Sequence, residues 1–241
     1  MNIIKNLGKI CIKKILSKKT NFKNVPIHKT FEEISFLNKF EKDKITENNF
    51  LDYIKKKKFL FSEDWFTYKI NLIKNILDEY QTNPPDKILE LGSFEGLSMI
   101  FFQYLYQNSK IDVVDILDSE YKKNFDQNLN AIDNSNIQVF KKRSHEFLVN
   151  NKKNYDLIFV DGGHGYLDVL VDLLYAYKFL NVNGILLIDD YDWDTTDKTK
   201  SVRLATNHFL DTVENTYTPI YHGQFAAIKK NQNINLSQIL G

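Results

Sequence analysis

The run Tyr155-Asp156-Leu157-Ile158-Phe159-Val160-Asp161-Gly162-Gly163-His164-Gly165-Tyr166 places an acid and an imidazole at the end of an apolar stretch. A strand there would deliver Asp161 to a sheet edge, and the three glycines would expose His164 to whatever binds. A His among glycines at such an edge can serve as a base, a role that a His on an apolar core face cannot fill. A second apolar run ends in Ile188-Asp189-Asp190-Tyr191-Asp192-Trp193-Asp194. Asp161, Asp189 and Asp190 brought together would repel unless a proton or a cation intervened, and oxygen-only ligands suit Mg²⁺. Asp190, Asp192 and Asp194 could instead be solvated loop charges, with only Asp189 facing the site.

A third set of residues lies upstream, in Glu90-Leu91-Gly92-Ser93-Phe94-Glu95-Gly96-Leu97-Ser98. A glycine-bearing turn between a strand and a helix lets a ligand approach the backbone. A dinucleotide fingerprint would need glycine at the position of Phe94, so close approach of a pyrophosphate is disfavoured. Glu90, two residues before Gly92, suits a cationic ligand without phosphate. Asp115 follows about twenty residues later at the end of the next apolar run, where a carboxylate can accept both hydroxyls of a ribose. It could also cap a helix, and Asp112 falls mid-strand. Ser144, after Lys141-Lys142-Arg143, is placed to cap the following helix.

These residues need a scaffold that brings strand ends together. Short apolar runs at Lys87–Leu91, Ile111–Ile116, Ile137–Lys141, Tyr155–Val160 and Gly184–Ile188 alternate with helical stretches near 97–107, 119–130, 144–151 and 166–180. That alternation predicts a parallel sheet covered on both faces. Ahead of it, Ser62 reads as a helix cap, with Trp65, Phe66, Ile70, Ile73, Ile76 and Leu77 on the buried side of a helix reaching Tyr80. At the other end a helix near 201–213 leads to two apolar runs around His222-Gly223, an antiparallel hairpin closing the sheet.

The 241 residues are 43% hydrophobic and 26% charged, enough to bury a large core and too apolar for a disordered chain. A formal charge of +1 argues against coating nucleic acid. A single cysteine, Cys11, excludes a disulfide framework and a cysteine-rich zinc site, and fits a reducing cytoplasm. Residues 1–19 set Ile3, Ile4, Leu7, Ile10, Cys11 and Ile15 at helical spacing among lysines. Such a helix packs on its own domain or on a partner subunit, or lies on anionic lipid. The run Lys55-Lys56-Lys57-Lys58 reads as solvated.

In their order and spacing, the segments at 61–66, 90–98, 160–166 and 188–193 resemble the methyltransferase-24 group of the class I S-adenosylmethionine-dependent methyltransferases. The resemblance spans about Phe61 to Lys230 and divides the chain into a basic, helical N-terminal extension, 1–60, and a methyltransferase domain, 61–241. It implies an α/β, Rossmann-like, doubly wound sheet of seven strands in the order 3-2-1-4-5-7-6, the seventh antiparallel. It also implies S-adenosylmethionine contacts at Glu90, Gly92, Ser93, Gly96, Ser98, Asp115, Ser144 and Asp161. In metal-dependent relatives of the catechol type, an Asp after the fourth strand and an Asp-Asn pair after the fifth hold the ion. Asp161, Asp189 and Asp190 match those positions, with Asp for Asn. The lysine those relatives carry near the first Asp is absent, and His164 stands three residues after Asp161 as the candidate base. The expected activity is O-methylation of a small-molecule or glycan hydroxyl, in a protein that could be a homo-oligomer. An NAD-dependent dehydrogenase, a non-catalytic module and an RNA methyltransferase are the competing readings.

Overall fold

A computed structural model of the chain describes residues 25–32, 34, 45–193 and 201–234. The expected helix at 1–19 and Asp194 lie outside the described residues. In chain order the elements are α1 (Lys29–Glu32), α2 (Ile45–Lys57), a 3₁₀ turn (Thr67–Lys69), α3 (Ile70–Tyr80), β1 (Lys87–Leu91), α4 (Leu97–Leu105), β2 (Lys110–Asp115) and α5 (Ser119–Asn130). They continue with β3 (Ile137–Lys141), α6 (Ser144–Asn150), β4 (Tyr155–Val160), α7 (Tyr166–Phe179), β5 (Leu180–Ile188), α8 (Val202–Thr212), β6 (Tyr217–His222) and β7 (Ala226–Lys230). The strands form one seven-stranded sheet in the order β3-β2-β1-β4-β5-β7-β6. β1 to β5 pair in parallel, and β7 runs antiparallel to both β5 and β6. The expected order and the reversed seventh strand are both present.

Side chains alternate across a strand, so a run that is apolar at every position must be covered on both faces. Leu157 and Phe159 of β4, with Ile185 and Leu187 of β5, join one core with Phe50, Ile73, Phe101 and Phe102. Ile158, Val160, Leu186 and Ile188 join the other, with Phe31, Leu173, Tyr177 and Phe209. The described part of residues 25–60 therefore supplies a ring to each core: Phe31 and Phe50 are both fully buried. Lys55 to Lys58 are exposed, as expected of a solvated run. No helix among the described residues is long and apolar enough to cross a membrane.

Two local expectations are corrected. Ser62 does not cap a helix, because its N–H and hydroxyl both donate to the Glu95 carboxylate, at 2.6 and 2.9 Å. Asp64 takes over instead, accepting the N–H groups of Phe66 and Thr67 at 3.1 and 2.8 Å, and the helix proper starts only at Ile70. Trp65 consequently leaves the buried stripe and is 61% exposed. Ser144 is the first residue inside α6, and Arg143 occupies the cap position with no side-chain bond.

The glycine-bearing turn after β1 is braced from behind by Asn128 of α5. Its amide donates to the carbonyls of Leu60 and Glu95, at 2.8 and 2.9 Å, and its carbonyl accepts the Leu60 N–H at 2.8 Å. The residue is fully buried, so truncation strands backbone groups where water does not reach. Asn128→Ala is expected to lower the unfolding free energy by about 2–3 kcal/mol, read from urea denaturation.

Candidate functional site

In an open α/β sheet the ligand crevice lies where the strand order reverses, beyond the carboxyl ends of the strands. Here the reversal falls between β1 and β4. Gly92, Asp161 and Asp189 are the first residues beyond β1, β4 and β5. Their N–H groups continue the ladder to Val114, Leu91 and Val160, at 2.9, 2.8 and 2.9 Å, which sets the three residues along one edge. Gly92 has φ +85°, and a Cβ there would overlap the carbonyl oxygen of Asp161. Glycine is thus required by the neighbouring strand as well as by any ligand.

A cavity of about 790 Å³ opens over this edge. Its walls include Gly92 to Glu95, Asp115, Lys142 to His145, Asp161 to His164, Asp189 and Asp190, with the exposed rings of Trp65, Tyr68 and Trp193. Of the residues expected to contact the cofactor, Gly92, Ser93, Ser98, Asp115, Ser144 and Asp161 line it. Glu90 and Gly96 are absent from its walls. Gly96, at φ +87°, turns the chain into α4, while Glu90 is fully buried beneath the turn and accepts the Ser98 hydroxyl. Burial, reinforced by Asp115 and opposed by Ser98, pushes the Glu90 carboxyl up to about 8, so it is neutral at pH 7.

Asp115 reaches the cavity, but its carboxylate is already engaged. One oxygen accepts the N–H groups of Ser93 and Phe94, at 2.7 and 3.0 Å. The other accepts the Leu117 N–H at 2.6 Å and the Tyr121 hydroxyl at 2.9 Å. These four bonds fill the lone-pair directions of a carboxylate. Asp115 therefore shapes the turn, and of its donors only the Tyr121 hydroxyl sits on a movable side chain. Phe94, at φ +51°, packs its ring at a tilt against those of Trp65 and Tyr121, with centroids 5.2 and 4.8 Å away. Asp112 stays away from the site, held by Lys153 and Tyr155 at 2.7 and 2.8 Å.

At the β4–β5 end, the sequence reading missed a cation. Lys69, in the 3₁₀ turn before α3, places its ammonium 2.6 Å from the Asp189 carboxylate, and the two side chains are only 1% and 5% exposed. Burial would lower the Lys69 pKa, but the charge and hydrogen bond of Asp189, with the charges of Asp161 and Tyr68, together outweigh it and the net shift is upward. Desolvation, Asp189 and Asp190 together hold Asp161 well above the usual carboxylate range, with Lys69 opposing. The expected grouping of Asp161, Asp189 and Asp190 is therefore altered: Asp189 belongs to Lys69. The donors spaced for a cation are Asp161, His164 and Asp190, whose ligand atoms lie within 4.8 Å of one another. His164 Nε2 is 2.7 Å from Asp190, and its ring packs edge-on to Trp193 at 4.6 Å. Lys69 was beyond reach of spacing arguments, since 120 residues separate it from Asp189.

Two outcomes follow. Lys69→Met leaves Asp189 buried without its counter-charge and should cost about 3–5 kcal/mol of stability, most of it recovered in Lys69→Met/Asp189→Asn. Because the folded Glu90 carboxyl titrates near 8 against 4.5 unfolded, its stabilising contribution is complete below pH 4.5 and is lost as the pH climbs toward 8. Glu90→Gln removes that loss. The wild-type unfolding free energy, measured against this variant, should therefore fall steadily across that range.

Residues 89–191 match a family model described as a methyltransferase domain, that of the methyltransferase-24 group. A protein of Acanthamoeba polyphaga mimivirus, R132, is 27% identical over 137 residues, 52% of this chain and 60% of that one. The O-methyltransferase hkm8 of Aspergillus hancockii is 26% identical over 110 residues, 44% of this chain and 43% of that one. The chain thus spans about half the length of these curated relatives. Among solved structures, the S-adenosylmethionine-bound O-methyltransferase TomG of Streptomyces achromogenes, which takes part in tomaymycin synthesis, superposes with a TM-score of 0.57 at 14% identity, over 79% of this chain and 92% of that one. The seven-stranded order is that of the class I methyltransferase fold, and residues 89–191, which include the glycine turn after β1, are similar to the methyltransferase-24 group.

Proposed function

We propose that the chain transfers the methyl group of S-adenosylmethionine to a hydroxyl of a small-molecule or sugar-like acceptor. The observation that carries this is the continuity of one cavity, which runs from the aromatic, phosphate-excluding turn at Gly92–Glu95 to the acid–imidazole cluster at His164. The turn fits the cofactor: Gly92 brings the backbone to the ligand, and Ser93 beside it lines the cavity. Phe94, where a dinucleotide site would carry glycine, favours this reading over a nicotinamide cofactor. The sulfonium supplies an electrophilic methyl whose transfer cancels a positive charge.

The chain's own residues then have three tasks. Phe94, Trp65 and Tyr121 exclude water from the cofactor side, and the Asp115 edge takes the ribose where Tyr121 yields its place. Tyr68 and Trp193 align the acceptor hydroxyl for in-line attack. His164, oriented through Nε2 by Asp190, takes the hydroxyl proton at its other ring nitrogen. Lys69 keeps this acidic edge from repelling the forming oxyanion. The acceptor is small rather than nucleic acid, because the acids around His164 would repel a phosphate backbone.

A second reading rests on the spacing of Asp161, His164 and Asp190, which fits a divalent cation. The ion would supply Lewis acidity to the hydroxyl, and the imidazole nitrogen among the donors suits Mn²⁺ at least as well as Mg²⁺. His164 cannot be both ligand and base through the same atom. Titrating the full chain with S-adenosylmethionine by calorimetry, then following labelled methyl into a panel of phenols and sugars with and without chelator, tests both readings. Binding should survive chelation. If transfer also survives, the ion drops out, and His164→Ala should lower turnover ~10²–10⁴-fold with partial recovery at higher pH. Failure to bind S-adenosylmethionine would overturn the proposal.

A further inference from the structure

The turn after β5 carries Asp190 and Trp193, the two residues that hold His164, yet it has little regular structure of its own. Trp193 N–H donates to the Asp190 carbonyl at 3.0 Å, and Asp190 sits at φ +56°. A non-glycine residue keeps that backbone only where its surroundings impose it. Those surroundings are Tyr191 and Asp192, and their partners come from distant parts of the chain. Arg203 of α8 donates from Nε to the Tyr191 carbonyl at 3.0 Å and from Nη2 to the Asp192 carboxylate at 2.6 Å. Its Nη1 donates to the Val25 carbonyl at 3.1 Å. The guanidinium thus clamps the turn to the segment at residues 25–28, and no single-point cation could make all three bonds in one plane.

The fully buried Tyr191 completes the clamp. Its hydroxyl donates to Asn207 at 2.9 Å and accepts the His28 N–H at 3.0 Å, while the Asn207 amide donates to the Pro26 carbonyl at 2.9 Å. These bonds join α8 and residues 25–28 through the one residue that follows Asp190. None of them is needed to hold the glycine turn after β1.

We propose that Arg203, acting with residues 25–28, is a positioning residue that fixes the turn at 189–193 and so aims Asp190 and Trp193 at His164. It acts on the acceptor side of the cavity alone; its relevance to catalysis rests on the methyl-transfer reading. The test uses the full chain labelled with 5-fluorotryptophan, whose two tryptophans, Trp65 and Trp193, give two fluorine resonances. Single Trp→Phe variants assign them.

Arg203→Met should move the Trp193 line by more than its width and leave the Trp65 line in place. S-adenosylmethionine affinity should stay within about twofold of wild type, as for independent sites. Arg203→Lys, which keeps the charge without the planar fork, should move the line less. An unmoved Trp193 line overturns the proposal, as does a joint change of both lines and of cofactor affinity, which would mark general loosening. If Arg203→Met does not fold, Asp192→Ala, at an exposed side chain, decides by the same Trp193 criterion. Wild-type chain that binds no S-adenosylmethionine refutes the methyl-transfer reading, and the Trp193 comparison still decides the positioning claim.

Discussion

Three carboxylates on neighbouring strand ends cannot all be charged in a half-dry crevice, and the pairing of Lys69 with Asp189 answers that constraint. The ammonium and the carboxylate are both nearly inaccessible and 2.6 Å apart. A buried pair of this kind adds little net stability over an apolar replacement, yet losing one partner is costly. Its value here is in assigning roles. Asp189 is fixed as a structural acid, Asp161 is left with a raised pKa, and Asp190 is free to turn toward His164. The cation comes from a turn outside the stretch matched by the family model, so the α3 side of the core is part of the site's electrostatics.

The glycine-turn side is organised on the opposite principle, with backbone donors gathered by one acid. Asp115 draws in the N–H groups of Ser93, Phe94 and Leu117, and thereby holds Phe94 and Leu117 at positive φ. Glu95 does the same behind the turn, accepting Ser62 and, at 2.8 Å, the Asn124 amide. Carboxylates bonded to several N–H donors act as pins. The glycine turn is therefore held in shape before any ligand arrives, which lowers the ordering cost of binding.

Both ends of the cavity depend on chain segments that precede β1. Trp65 and Tyr68 line it, Lys69 pairs with Asp189 at its edge, and the Val25 carbonyl accepts from Arg203 beyond β5. Phe31 and Phe50 tie the same stretch into the two cores. The division drawn at residue 60 from the resemblance marks where the likeness begins, while packing runs across it.

The sequence by itself determined the sheet. Period-two and fully apolar runs, spaced by helical stretches, predict strands within a residue or two, except that β5 begins at Leu180, directly after α7. Resemblance supplied the strand order. Residues that close a strand, such as Gly92, Asp115, Asp161 and Asp189, are legible because a strand's end fixes where its next residue goes. Tertiary structure alone decided what each of them touches. Ser62 reads as a helix cap until Glu95 claims it, and Asp189 reads as a metal ligand until Lys69 arrives from 120 residues away. Trp65 reads as core until the helix starts seven residues later than expected. Side-chain pairing across such separations depends on how elements pack, and a local pattern carries no information about the partner that packing will bring.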